Sequence, residues 1–242
     1  MSNEKKARKT IGIIGGMGPL ATCDLFKKII EKTNAANDQE YIRVCIDNNT
    51  NIPDRTAAIL HGGADPVPEI VRSGVLLEGM GADVLIMPCN TAHYFYNKIV
   101  PFLHVPLLNM PEETAHRLKQ QNVKTAGLLA TDGTIKSRVY HNMLEKLGIK
   151  EVNPSPVHQK SVMDIIYKGV KAGRKDIDTT GFYAAMDELA ANGAEKLILG
   201  CTELPVAFTM FNIDRPAIDA TAVLAEAAVR FADKDLLFPA NK

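Results

Sequence analysis

Two nine-residue segments of this chain repeat one another without a gap. Gly81-Ala-Asp-Val-Leu-Ile-Met-Pro-Cys89 lies over Gly193-Ala-Glu-Lys-Leu-Ile-Leu-Gly-Cys201, sharing Gly-Ala, an acid, Leu-Ile and the closing cysteine. Lys9-Thr10-Ile11-Gly12, with Gly18 beyond it, matches Lys124-Thr125-Ala126-Gly127, with Gly133 beyond it. A weaker pair is Pro106-Leu107-Leu108-Asn109 against Pro216-Ala217-Ile218-Asp219. All three pairs keep the same order at nearly the same offset, which one chance match would not do. A chain duplicated in this way folds as two homologous lobes, each presenting one cysteine at the same structural position. The expected division is 1–109 and 110–218.

The periodicity assigns the lobes to the α/β class. Apolar runs at Thr10–Gly15, Tyr41–Asp47, Val84–Pro88, Leu107–Asn109, Lys124–Ala130, Lys196–Leu199 and Ala217–Asp219 read as strands. Between them, helical spacing covers Thr22–Asn34, Val67–Gly79, Pro111–Gln121, Ser137–Leu147, Gln159–Lys171, Gly181–Asn192 and Thr221–Lys234. Strands alternating with helices imply a mostly parallel sheet in each lobe, flanked by helices.

Composition removes several classes of function. With 242 residues, 46% of them apolar, the chain can bury a substantial core. Lys+Arg and Asp+Glu both number 28, so the basic excess of a nucleic-acid or membrane-surface binder is missing. No apolar run approaches the roughly 18 residues of a bilayer span. Met1 to Lys9 is charged and carries no apolar signal segment, so a cytoplasmic enzyme is expected. The four cysteines form no CxxC pair and the histidines have no ligand spacing. Neither a disulfide framework nor a metal site is therefore expected.

Cys89 and Cys201 each follow a buried strand and precede a polar tripeptide, Asn90-Thr91-Ala92 and Thr202-Glu203-Leu204. The carboxyl ends of parallel strands line the ligand crevice, and backbone N–H groups of a following helix start favour a thiolate. A lone cysteine there is ordinarily a small packing residue. Two at equivalent positions would face one another across the cleft between lobes. Thiols on both sides of one carbon suit inversion of a stereocentre, where a thiolate removes the Cα proton and the opposite thiol returns one. The developing carbanion then needs donors fixed on the substrate carboxylate.

Pro88-Cys89-Asn90-Thr91-Ala92-His93 and Gly200-Cys201-Thr202-Glu203-Leu204-Pro205 resemble the paired signatures of the aspartate/glutamate/hydantoin racemase superfamily. Gly15-Gly16-Met17-Gly18-Pro19 and Ile52-Pro53-Asp54-Arg55-Thr56 resemble its aspartate racemase branch. Glutamate racemases resemble Cys-Thr-His at the second cysteine, whereas this chain has Cys-Thr-Glu. The resemblance covers nearly the whole chain. It implies two pseudo-symmetric lobes with the active site between them, a final segment (219–242) returning to the first lobe, a homodimer, and no pyridoxal phosphate or metal.

By the same resemblance, Cys89 and Cys201 are the acid–base pair. Asn90, Thr91 and Thr202 bind the α-carboxylate, Met17 lines the pocket floor, and Thr131 and Thr134 supply further donors. Arg55 and Lys171 are the cations for a side-chain carboxylate, which needs paired positive charge once buried. Apart from the resemblance, Asp54 and Glu203 either tune or orient the thiols or serve as a helix cap or surface carboxylate. His93 is expected as a supporting hydrogen-bonding residue, and Cys23 and Cys45 as packing residues. The implied activity is racemisation of aspartate, extending to glutamate. Alternatives are an isomerase of a related acid such as maleate, or a non-catalytic protein that binds an acidic metabolite. The Gly-rich start does not match GxGxxG spacing, so a dehydrogenase is disfavoured.

Overall fold

The first strand, β1 (Thr10–Gly15), is buried along its whole length, with Ile11, Ile13 and Ile14 fully enclosed. A parallel strand covered on both faces reads as a continuous apolar run rather than an alternating one. The structure, a computed structural model, describes residues 8–237. Most of the charged start read from the sequence (1–7) and the end of the returning segment (238–242) lie outside the described residues.

After β1 the chain forms α1 (Pro19–Lys32), β2 (Arg43–Asn48), α2 (Arg55–Leu60), α3 (Val67–Gly79) and β3 (Val84–Ile86). A 3₁₀ stretch (Thr91–Phe95) then leads through α4 (Tyr96–Ile99) to α5 (Met110–Gln120). The second half continues with β4 (Thr125–Ala130), α6 (Asp132–Lys136), α7 (Val139–Lys146), β5 (Lys150–Val152) and α8 (Pro156–Asp164). A π-helical turn (Ile165–Val170) precedes α9 (Thr180–Ala191), β6 (Lys196–Gly200), α10 (Glu203–Met210), β7 (Ala217–Asp219) and α11 (Ala220–Phe231).

Two parallel sheets result, ordered β2-β1-β3 and β5-β4-β6-β7. Beside β3, Leu107 makes a single parallel bridge to Leu85, in the place that β7 takes beside β6. The sheets therefore correspond strand for strand, and the duplication in the sequence is repeated in the topology. Cys89 lies just past β3 and Cys201 just past β6, at equivalent carboxyl ends.

α11 packs on the first sheet, where Leu224, Ala225 and Ala228 join Ile11, Ile13 and Leu25 in one buried cluster. The main chain beyond α11 pairs with the end of α1, through Asn34 N–H to Asp235 O (3.0 Å) and Leu237 N–H to Lys32 O (2.8 Å). Glu226 on α11 accepts from Lys32 and Arg117, tying three helices with one carboxylate.

Several sequence expectations are corrected. The strand expected at Leu107–Asn109 is reduced to the one bridge at Leu107, because Asn109 is already the N-cap of α5, accepting from Glu112 N–H at 3.2 Å. The helix expected over Ser137–Leu147 starts at Val139, since Arg138 sits at φ +58° and separates α6 from α7. The helix expected over Gln159–Lys171 begins at Pro156 and widens into the π-helical turn. β5 was not anticipated because Lys-Glu-Val has no apolar face. Cys45 is buried, but Cys23 lies exposed on α1 and does not pack.

Candidate active site

The cavity wall from the first half begins with a backbone that only glycine permits. Gly16 has φ +90°, and a Cβ there would stand 2.3 Å from the backbone carbonyl of Asn49. Gly16 N–H donates to Thr22 Oγ1 (3.0 Å), whose hydroxyl donates to Gly18 O (3.0 Å). This tight turn presents Met17, which is 2% exposed, to the cavity. Its carbonyl accepts from Arg55 Nη2 at 3.3 Å. Asp54 caps α2 by accepting from Ala57 N–H at 2.6 Å, so Arg55 starts that helix with its side chain turned back over the loop. Arg55 Nη1 donates to Ile52 O and Pro53 O, while its buried Nε has no partner among the described residues.

Cys89 and Cys201 both line one small, tightly walled cavity. Each is buried, at 7% and 8% exposure. Their surroundings differ. The Cys201 thiol donates to Glu203 Oε2 at 2.9 Å, and Glu203 Oε1 in turn meets Lys171 Nζ at 3.2 Å. Burial pushes the Cys201 thiol well above its ordinary pKa, the Glu203 carboxylate adds to the rise, and Lys171 opposes it. Burial works against the Lys171 ammonium, but Glu203 together with Cys201 and Cys89 outweighs it and leaves the pKa raised. Desolvation also opposes the Arg55 guanidinium, but Cys89, Asp54 and Tyr167 together leave its pKa raised.

The polar wall is built across the two halves of the chain. Thr91 Oγ1 hydrogen-bonds with Thr131 Oγ1 (3.1 Å) and Thr134 Oγ1 (2.8 Å). Tyr140, fully buried on α7, donates its hydroxyl to Asn90 Oδ1 at 2.5 Å. With that oxygen engaged, the Asn90 Nδ2 amide is left without a partner among the described residues. Burial raises the Tyr140 pKa and keeps the phenol a donor.

His93 holds the first cysteine from behind. Its Nε2 accepts from Met110 N–H (3.2 Å), so Nδ1 carries the proton and donates to Cys89 O at 2.8 Å. Burial lowers its pKa to about 4, leaving a neutral ring. It supports Cys89 without lining the cavity.

Of the residues singled out in the sequence, Met17, Asp54, Arg55, Cys89, Asn90, Thr91, Thr131, Lys171, Cys201, Thr202 and Glu203 surround this one cavity. Thr134 does not. It is fully buried behind the wall, its hydroxyl committed to Thr91 and Thr131, so its expected role as a direct donor is corrected to bracing. Lys171 is not a free cation either, since Glu203 already holds it. Sequence reasoning missed two lining residues, Thr56 and Tyr167, and the brace Tyr140. Thr56 adjoins Arg55 and was within reach of the same signature. The two tyrosines lie in helical stretches that mark only packing. Lys171 Nζ sits 5.3 Å from the centroid of the Tyr167 ring. Among the described residues, no group of three His, Cys, Asp or Glu is placed to hold a metal ion, and no helix is long and apolar enough to cross a membrane.

The profile of the family described as Asp/Glu/Hydantoin racemase matches residues 14–228. The chain is 29% identical over 223 residues to the broad specificity amino-acid racemase RacX of Bacillus subtilis, covering 90% of this chain and 96% of that one. The structure of Picrophilus torridus aspartate racemase aligns with a TM-score of 0.84 at 35% identity, over 95% of this chain and 96% of the other. A putative Asp/Glu racemase from Yersinia pestis aligns with a TM-score of 0.78 at 26% identity, over 93% and 100%.

Proposed function

The chain belongs to the Asp/Glu/hydantoin racemase family, and on that premise we propose that it interconverts L- and D-aspartate without a cofactor, moving the Cα proton between Cys89 and Cys201. The observation that carries this reading is that the two buried cysteines of the repeat line a single cavity in unlike electrostatic settings. The reading takes the chain as two lobes, 1–109 with 219–242 and 110–218, with the substrate between them.

In the proposed cycle the substrate Cα lies between the two sulfurs. Cys89, beside the Arg55 guanidinium, works as the base and takes the α-proton, becoming a thiol. The electron pair moves into the α-carboxylate as an enediolate. Asn90 Nδ2, a buried donor with no other partner, meets that developing charge, and the Thr91 and Thr202 hydroxyls stand beside it. Cys201 delivers its proton to the opposite face of Cα. The new thiolate then lies beside Lys171, which offsets the charge. The reverse direction exchanges the two roles.

Arg55 Nε, buried and unpaired, is the donor assigned to the side-chain carboxylate. Glutamate, one methylene longer, differs by only about 1–3 kcal/mol in such a pocket and is a secondary substrate. The reading also takes the enzyme as cytoplasmic and homodimeric. The partly exposed Phe26, Ile30 and Ile46 on α1 and β2 supply apolar surface for such contact.

Incubation of L-aspartate with the purified protein, a chelator and no pyridoxal phosphate tests the reading by chiral chromatography. D-Aspartate rising toward an equal share supports it. Unchanged L-aspartate, or an unsaturated diacid as the product, contradicts it.

A further inference from the structure

Beside the cysteine-lined cavity lies a second, roomier chamber of about 250 Å³, partly open to solvent. Its walls are mainly apolar, with Leu20 and Ala21 from the start of α1, Val170 from the π-helical turn, and Val206 from α10. Lys171, Thr202 and Glu203 line both spaces, so the two meet along the Lys171–Glu203 ion pair. Leu20 is 70% exposed at the rim, an apolar side chain with nothing laid over it.

The charges of the cysteine-lined cavity do not demand an acidic side chain. Its lining holds two cations, Arg55 and Lys171, and two carboxylates, Asp54 and Glu203. Aspartate, with two carboxylates and one ammonium, therefore brings a net negative charge to a site where each cation already has a carboxylate or thiol beside it. A neutral side chain leaves that balance undisturbed and adds no buried charge to be paired.

Resting on the racemase reading above, we propose that the apolar chamber is a side-chain subsite that gives the enzyme a second substrate class: α-amino acids with unbranched, uncharged apolar side chains, methionine being the probe. The reacting carbon, its carboxylate and both cysteines are shared with aspartate. Only the side chain differs in its path. Beyond Cγ it passes the Lys171–Glu203 pair, displacing the lysine stem, and enters the space between Leu20, Ala21, Val170 and Val206. Each methylene buried there strengthens binding by about fourfold. Aspartate, with one methylene and a carboxylate, stays short of the chamber.

The test compares α-proton exchange of L-aspartate and L-methionine in deuterated water, by proton NMR, in the wild type and in two variants. Val206→Phe fills the chamber. Leu20→Glu places a charge at its rim, at an exposed position where folding is not at stake. The wild type is expected to exchange both amino acids. Both variants are expected to keep aspartate kcat/KM within about twofold and to lose at least roughly tenfold with methionine. Exchange of aspartate but not methionine by the wild type overturns the subsite while leaving the racemase reading intact. Equal losses for the two substrates in Leu20→Glu also overturn it. Exchange of neither amino acid overturns the racemase reading itself.

Discussion

The phenol of Tyr140 on α7 donates to the side-chain carbonyl of Asn90, the residue following the first cysteine, at 2.5 Å. Donor and acceptor come from opposite halves of the duplicated chain, and the contact fixes which end of the amide is free. The Asn90 Nδ2 group is thereby the end available to a ligand.

Tyr140→Phe removes that one hydroxyl and lets the amide turn. The expected loss in kcat/KM is roughly tenfold, close to the net worth of a buried hydrogen bond. In an Asn90→Ala background the same change is expected to cost less than about twofold, because the brace has nothing left to orient. Steady-state kinetics on the four proteins of the cycle check this. Equal penalties in both backgrounds would mean that Tyr140 is only a packing residue.

Glu203 and Lys171 push the Cys201 thiol in opposite directions. Glu203→Gln removes the carboxylate that raises the thiol pKa, so Cys201 loses its proton at lower pH and the alkaline limb of the rate profile moves down. Lys171→Met removes the cation that lowers it, and the alkaline limb moves up. The pH dependence of kcat for both variants supplies the comparison, and shifts of the same sign would contradict the assignment.

His93 is neutral in the fold because burial lowers its pKa to about 4, while an exposed histidine titrates near 6.5. Between these values the unfolded chain binds the extra proton, so stability is intact above pH 6.5 and declines as pH falls toward 4. The displacement of the pKa corresponds to about 3 kcal/mol. Urea unfolding at a series of pH values is expected to show this decline in the wild type and a shallower one in His93→Gln.

Gly16→Ala tests the turn that carries Met17. A Cβ at φ +90°, within 2.3 Å of the Asn49 backbone, forces either the turn or the β2 end to move. A loss of at least about 2 kcal/mol in unfolding free energy is expected, together with a raised KM from the displaced Arg55 anchor on Met17 O.

Much of this architecture is written in the repeat. The matched segments ending at Cys89 and Cys201 place both residues at equivalent strand ends, and the strand orders correspond as the duplication requires. Buried parallel strands such as β1 and β6 are legible because both faces are apolar. β5 is not, since its polar residues pair through backbone alone at the sheet edge. The cavity-lining residues next to the cysteines follow from local sequence. Side-chain pairing does not: Lys171 meets Glu203 across 32 positions, and Tyr140 meets Asn90 across 50. Nothing local separates Thr134, turned inward to other hydroxyls, from Thr131, which reaches the cavity.

The most direct test of the two-thiol account is solvent-deuterium exchange at Cα, measured separately on D- and L-aspartate with Cys89→Ala and Cys201→Ala. Neither variant should racemise, and each should retain exchange with one enantiomer only, the enantiomer differing between the two. Racemisation by both variants at the wild-type rate, or exchange of the same enantiomer by both, would contradict it.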